Sequence, residues 1–247
     1  MVLPEGSYYR RDLALVHHRG FGAYARACAP GVLALLEPVR ARQGLVLELG
    51  CGSGVLTREL TAAGHRVIAT DASPAMLELA REYAPAAEDI RTLVLPGDPL
   101  PRADAVVSVG HMLNYLPDQH AIDQALTAIA RALRPGGLVA VDICDLAYGQ
   151  ARRGTPAVAS ADDDWAVITE FSLPAPNQFV RHITTFVRGD DGSWRRDAEI
   201  HHNVLTDTSG VPVLLAAEGV QATVAAAFGT EQLPAGLRVL TGRRAAT

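Results

Sequence analysis

Three glycines at alternate positions, Gly50-Cys51-Gly52-Ser53-Gly54, follow the apolar run Leu45–Leu49 and precede a segment, Val55 to Ala63, with apolar residues at helical spacing. Glycine lets a backbone bend sharply and come close to a ligand because no Cβ intrudes. Between a strand and a helix, such a bend is a cradle for a nucleoside-like group. The spacing is not the Gly-x-Gly-x-x-Gly of dinucleotide sites, and no basic residue flanks the loop before Arg58, so a pyrophosphate is not its target. Asp71 closes the next apolar run, about 20 residues on, where a carboxylate can accept hydrogen bonds from both hydroxyls of a ribose. The plainer role for Asp71 is capping the turn into Ser73-Pro74. A third group is Gly110-His111-Met112-Leu113-Asn114-Tyr115, after a further apolar run. His111 has an ordinary pKa near 6.5, which suits proton abstraction. Asn114 and Tyr115 either orient a substrate or pack the following helix.

The elements that must position these residues alternate. Short runs rich in Val, Ile and Leu (45–49, 65–70, 91–95, 105–109 and 138–143) read as strands. The segments between them carry helical periodicity. Ser73-Pro74 opens one helix with a capping serine and a proline at its first position. Asp118 caps another, whose stripe is Ile122, Leu126, Ile129 and Leu133. Strands separated by helices predict a mostly parallel sheet covered on both faces, with ligands beyond the carboxyl ends of its strands. The N-terminal stretch, residues 1–39, reads as helical, broken at Gly20, Gly22 and Pro30-Gly31. After Cys144 the pattern changes. Segments 165–171, 179–187 and 194–204 predict three antiparallel strands inserted within residues 151–208, with Arg181, Ile183 and Thr185 on one face. A helix at 211–218 and a closing strand pair at 220–228 and 237–242 complete an expected seven-stranded sheet.

Composition narrows the function. The chain has 247 residues, 49% hydrophobic and 20% charged, enough for one α/β domain with an insertion. Net charge is −5, so no broad basic field invites nucleic acid. All 22 basic residues are arginines, which excludes Schiff-base and phosphate-loop lysines; together with the many alanines this suggests a GC-rich bacterial source. The three cysteines, Cys28, Cys51 and Cys144, lack metal-ligand spacing, and no metal site is expected. No apolar run approaches membrane-spanning length, and Met1 to Arg11 lacks a signal-peptide pattern, so a cytoplasmic location away from membranes is expected.

Glu48-Leu-Gly-Cys-Gly-Ser-Gly54, Asp71-Ala-Ser-Pro-Ala-Met76-Leu77 and Leu133-Arg-Pro-Gly-Gly-Leu138 resemble successive motifs of the class I S-adenosylmethionine-dependent methyltransferases. The resemblance covers about Val39 to Cys144 and implies a Rossmann-like fold with S-adenosyl-L-methionine as cofactor and S-adenosyl-L-homocysteine as product. By the same resemblance Gly50, Cys51, Gly52 and Gly54 lie against the methionine part, and Glu48 orders the loop and helps hold its amino group. Asp71 binds ribose, Ala72 or Met76 touches adenine, and Asp98 lies near the adenine amino group or is a solvated turn acid. Gly110 and His111 pass beside the sulfonium. Residues 1–39 fold over the cofactor as a lid, adding His18 and Tyr24 to His111 as candidate bases. The insertion walls an acceptor pocket with Asn114, Tyr115, Trp165 and Arg181, or else serves as a homodimer face. The expected reaction is in-line methyl transfer to N or O of a small molecule in bacterial secondary metabolism. RNA or protein methylation, or cofactor binding without transfer, are the alternatives.

Overall fold

The computed structural model describes residues 8–246; residues 1–7 of the expected lid lie outside the described residues. Helices α1 (Arg11–Gly20) and α2 (Ala23–Ala41) precede β1 (Leu45–Leu49), α3 (Val55–Ala62), β2 (Arg66–Asp71), α4 (Pro74–Tyr83), β3 (Asp89–Thr92) and β4 (Ala103–Ser108). A single 3-10 turn, Met112–Tyr115, leads into α5 (Gln119–Ala132), β5 (Leu133–Cys144) and the short α6 (Leu146–Gln150). Strands β6 (Val158–Asp162), β7 (Trp165–Ala175), β8 (Gln178–Arg188) and β9 (Trp194–Val204) follow, then α7 (Val211–Ala217), β10 (Val220–Ala225) and β11 (Leu237–Arg244).

Seven strands form the main sheet in the order β10-β11-β5-β4-β1-β2-β3, and only the β10–β11 and β11–β5 pairings are antiparallel. Strand order reverses between β1 and β4, which leaves a crevice at their carboxyl ends. Both faces are covered. Alternate residues of β4 show this, with Val106 in the core under α5 and α7, and Val107 in the core under α2 and α3. The two expected caps form: Ser73 Oγ accepts from Met76 N at 3.2 Å, and Asp118 Oδ1 accepts from Ala121 N at 2.8 Å. No helix among the described residues is long and apolar enough to cross a membrane.

The inserted sheet has four strands, not three, in the order β6-β7-β8-β9. Strand β6 escapes a reading by periodicity because all five of its residues are exposed. Pro30-Gly31 does not break α2. The apolar face of Cys28, Val32, Leu36 and Val39 is fully buried and holds the helix through the proline, whose missing N–H costs it one hydrogen bond. A Cβ at Gly31 would sit 2.6 Å from Gly229 N, so glycine is what lets the chain after β10 lie against the helix. The third strand begins two residues earlier than expected, where Asp89 pairs with Ile68.

Candidate active site

The bend after β1 carries positive φ at Gly50, Gly52 and Gly54, at +66°, +54° and +83°. A Cβ on Gly50 would lie 2.8 Å from Met112 Cβ, so glycine there permits contact with the turn after β4. A Cβ on Gly52 would meet nothing nearer than Met76 Sδ at 4.0 Å, and one on Gly110 nothing within 4 Å. The backbone at these two glycines therefore borders open space. Asp71 fastens the bend from the neighbouring strand, with Oδ2 accepting from Gly52 N and Oδ1 from Ser73 N, both at 2.8 Å. Each oxygen keeps a lone pair for an incoming hydroxyl.

Three carboxylates gather at the crevice, and among the described residues none has a basic side chain within ion-pair distance. Glu48 is buried, with the Thr57 hydroxyl 2.7 Å from its Oε2, and desolvation pushes its pKa up to about 8. Burial likewise raises Asp71 and Asp142. Asp142, fully buried on β5, accepts from Gly110 N at 2.9 Å, His111 N at 2.7 Å and the Tyr24 hydroxyl at 2.5 Å. It thereby holds His111 at φ +48°, a left-handed conformation that costs a non-glycine residue about 1–2 kcal/mol. Uncompensated acids beside glycine-bordered space suit a ligand bearing an ammonium and a sulfonium, so the residues present fit S-adenosylmethionine. Ala72 is exposed beside Asp71, while Met76 is buried under the bend. Cys51 is buried, and its N–H continues the strand pairing by donating to Thr70 O. Asp98 is exposed and closes its own turn, Oδ2 accepting from Val94 N at 2.7 Å.

The inner face of the inserted sheet meets this crevice with polar residues. Tyr115, on the turn after β4, is the hub. Its hydroxyl is bonded to the Arg181 guanidinium, to the Tyr9 hydroxyl at 2.9 Å and to His201 Nδ1 at 3.2 Å. His201 Nε2 lies 2.9 Å from Glu199 Oε2. Glu199 also accepts from Tyr9 N at 2.7 Å and Arg10 N at 2.8 Å, while Ser73 Oγ donates to Tyr9 O at 2.7 Å. Residues Tyr8–Arg10 thus form a strap stitched on one side to Ser73, beside Asp71, and on the other to the inserted sheet. The His111 ring lies parallel to Tyr115 at 6.2 Å between centroids. Burial and the Arg181 charge press His111 down to about 3 and His17 to about 4, and lower His201.

Some candidates go elsewhere. The Asn114 amide is fully buried and staples β5 to β9: Nδ2 donates to Cys144 O and Val204 O, and Oδ1 accepts from Cys144 N. Trp165 is core between α1 and the inserted sheet, packed with Leu13 and Val16 and so close that a Cβ on Gly20 would overlap it at 2.6 Å. His18 leans edge-on against Tyr83 rather than joining His111. The Tyr24 hydroxyl is committed to Asp142, which with burial raises it far beyond basic use near neutrality. Sequence reasoning misses Glu199, and it places Tyr9 and His201 in the expected lid and pocket wall without an individual role. The signal was present in β9, where Glu199, His201 and Asn203 alternate with exposed Ile200, the reverse of an ordinary half-buried strand.

Residues 46–137 match the methyltransferase-domain family. The chain is 35% identical over 135 residues to an uncharacterised methyltransferase of Mycobacterium bovis, an alignment covering 52% of this chain and 51% of that protein, about half its length. It is 29% identical over 187 residues to a ubiquinone biosynthesis O-methyltransferase of Xanthomonas oryzae, covering 71% of each. Among solved structures, the sugar N-methyltransferase KedS8 from Streptoalloteichus superposes with a TM-score of 0.73 over 99% of both chains at 20% identity, a likeness of fold.

Proposed function

The chain being a class I S-adenosylmethionine-dependent methyltransferase, we propose that it methylates a nitrogen or oxygen atom of a small molecule held between the Gly110–Tyr115 turn, the strap and the inserted sheet. One observation carries the reading: a glycine bend latched by an acid from the next strand borders open space, and the strap bonded to Ser73 beside that acid carries the Tyr9–Tyr115 ring pair. The bound cofactor supplies a methyl carbon already activated by its sulfonium. What remains for the protein is alignment for in-line displacement and exclusion of water.

In this reading Asp71 takes the ribose hydroxyls and Glu48 faces the cofactor's ammonium. The N–H groups of Gly50 to Gly54 border its amino-acid end. Ala72, exposed beside Asp71, flanks adenine, Met76 packs beneath the bend, and Gly110 and His111 line the approach to the sulfur. His111, neutral through the physiological range, lines the acceptor space as an uncharged ring. Helices α1 and α2 with the strap act as the lid, and Arg181 and Tyr115 meet the acceptor. The name of KedS8, a sugar N-methyltransferase, and that of the Xanthomonas O-methyltransferase favour a small acceptor over RNA or protein.

The test is a methyl-transfer screen with radiolabelled S-adenosylmethionine against small amines, phenols and amino sugars, with bulk RNA and protein in parallel. Label in a small molecule, with S-adenosylhomocysteine as co-product, is the expected result; label confined to RNA or protein refutes the acceptor class. Calorimetric binding of NAD(P) without binding of S-adenosyl ligands refutes the cofactor.

A further inference from the structure

Methylating a neutral hydroxyl or a protonated amine requires a proton to leave, and the histidine nearest the expected transfer point is poorly suited to take it. His111 has no partner on Nδ1 and is pressed to about 3. Asp142 is saturated by two backbone amides and a phenol. A different chain of groups leads away from the acceptor space and ends in a buried carboxylate. We propose that Tyr115, His201 and Glu199 form a proton relay for the methyl transfer inferred above, on which this inference rests. Tyr115 touches the acceptor; His201 and Glu199 are positioning residues behind it.

The hydrogen-bond inventory fixes the direction of the chain. Arg181 can only donate to the Tyr115 oxygen. Glu199 accepts from two strap amides and faces His201 Nε2, so the proton of the imidazole belongs on Nε2. Nδ1 then accepts, the Tyr115 hydroxyl hydrogen points to it, and the Tyr9 hydroxyl must donate to the Tyr115 oxygen, a place that the acceptor's heteroatom takes over when it binds. As the acceptor heteroatom bonds to the methyl carbon, the carbon–sulfur bond breaks and its pair stays on sulfur. The heteroatom's proton passes to the Tyr115 oxygen while the Tyr115 proton passes to His201 Nδ1. The outcome is methylated acceptor, neutral thioether and an imidazolium facing Glu199. Arg181 stabilises whatever negative charge the phenol oxygen gains in passing. Water does not reach the far end, since His201 is 0% exposed and Glu199 only 4%. The charged and titratable groups around His201 are Glu199 on its own strand, Arg181 from β8, Tyr115 from the turn, Tyr8, Tyr9 and Arg10 from the strap, and His17 from α1.

Imidazole 15N spectra of the full chain, free and with S-adenosylhomocysteine, test the arrangement without turnover. His201 should be neutral at pH 7 with Nε2 protonated. Tyr115→Phe should shift the Nδ1 resonance, and Glu199→Gln should move the titration to lower pH, because a carboxylate that stabilised the imidazolium is gone. A proton on Nδ1, or an imidazolium at pH 7, overturns the relay. With the acceptor that turns over in the methyl-transfer screen, Tyr115→Phe and His201→Gln should each lower kcat about a hundredfold. KM should stay within about twofold, and the double variant should be no worse than either single one, as for groups acting as a unit. The fall of kcat toward acid pH, with a midpoint below 6.5, should vanish in His201→Gln. A rise in KM alone, or an unchanged acid limb, overturns the proposal. Calorimetry with S-adenosylhomocysteine separates the two readings: failure of the wild type to bind it defeats the methyltransferase reading, whereas normal binding with the wrong His201 tautomer defeats only the relay.

Discussion

Asp71 does two things with one carboxylate. It ties Gly52 and Ser73 together through their amides, and each oxygen retains a lone pair for a further donor. Asp71→Ala should therefore weaken S-adenosylhomocysteine binding by at least ~1 kcal/mol, the scale of a lost hydrogen bond, and calorimetry reads this directly. Unchanged affinity would confine Asp71 to the turn. Glu48 makes a complementary prediction. With its pKa raised to about 8 it is largely protonated in the free protein at pH 7. A raised carboxyl pKa means the native state holds a proton that the unfolded chain releases above its ordinary 4.5. Glu48 thus supports the free fold fully below that value and loses this contribution as pH climbs through 8. A ligand ammonium alongside it would reverse the preference. Binding of S-adenosylhomocysteine at pH 7 should release close to one proton, seen as a binding enthalpy that varies with buffer ionisation enthalpy, and Glu48→Gln should abolish that variation. The glycine bend and its acid are legible in sequence because their geometry is local, set by a strand end, a few φ values and one spacing. The roles of Glu199 and His201 are not, since the alternation in β9 marks them as one face but gives that face meaning only when a distant tyrosine is brought against it.

At the scale of elements, the site depends on two distant segments being drawn over the sheet. The strap is held by Glu199 on its amides, by Ser73 on the Tyr9 carbonyl, and by Arg10 paired with Asp197 at 2.7 Å. The Arg10 pair is partly solvent-exposed, so it contributes about 1 kcal/mol or less. Arg10→Ala should accordingly leave the melting temperature nearly unchanged yet speed hydrogen exchange at the Tyr9 and Arg10 amides several-fold. S-adenosylhomocysteine should slow that exchange in both proteins if the strap closes over the cofactor; exchange indifferent to ligand would make the strap a static brace. The alternation of strands and helices made the main sheet legible, because each of its strands is buried among neighbours of its own type. The inserted sheet was legible as antiparallel but not in strand count, β6 being exposed throughout. Gly31, which reads as a breaker, is a packing residue because the chain at Gly229 crosses the helix there. That distinction is tertiary and has no local signature.

The whole molecule holds its acceptor region in one protonation state by burying it. His17 and His111 sit on different elements, α1 and the loop after β4, yet both are forced neutral by burial and by the shared cation Arg181, to about 4 and about 3. In the unfolded chain each regains its ordinary 6.5, so below that value the unfolded state binds more protons than the native one. Their cost to the fold is absent above pH 6.5 and grows as pH falls toward 4, reaching on the order of 2–3 kcal/mol for each residue there. Glu48 pulls the opposite way across the same interval, so the wild-type curve alone would mislead. The informative quantity is the difference between the wild type and the His17→Gln, His111→Gln double variant, measured by denaturant unfolding from pH 8 to pH 4. The stability of the wild type relative to the variant should be constant above about pH 7 and fall steadily below pH 6.5. A difference that stays flat down to pH 4 would mean that the two imidazoles titrate natively, which requires water or a counter-charge around Arg181 and dissolves the dry, positively biased acceptor region on which the assignment of Arg181 and Tyr115 depends.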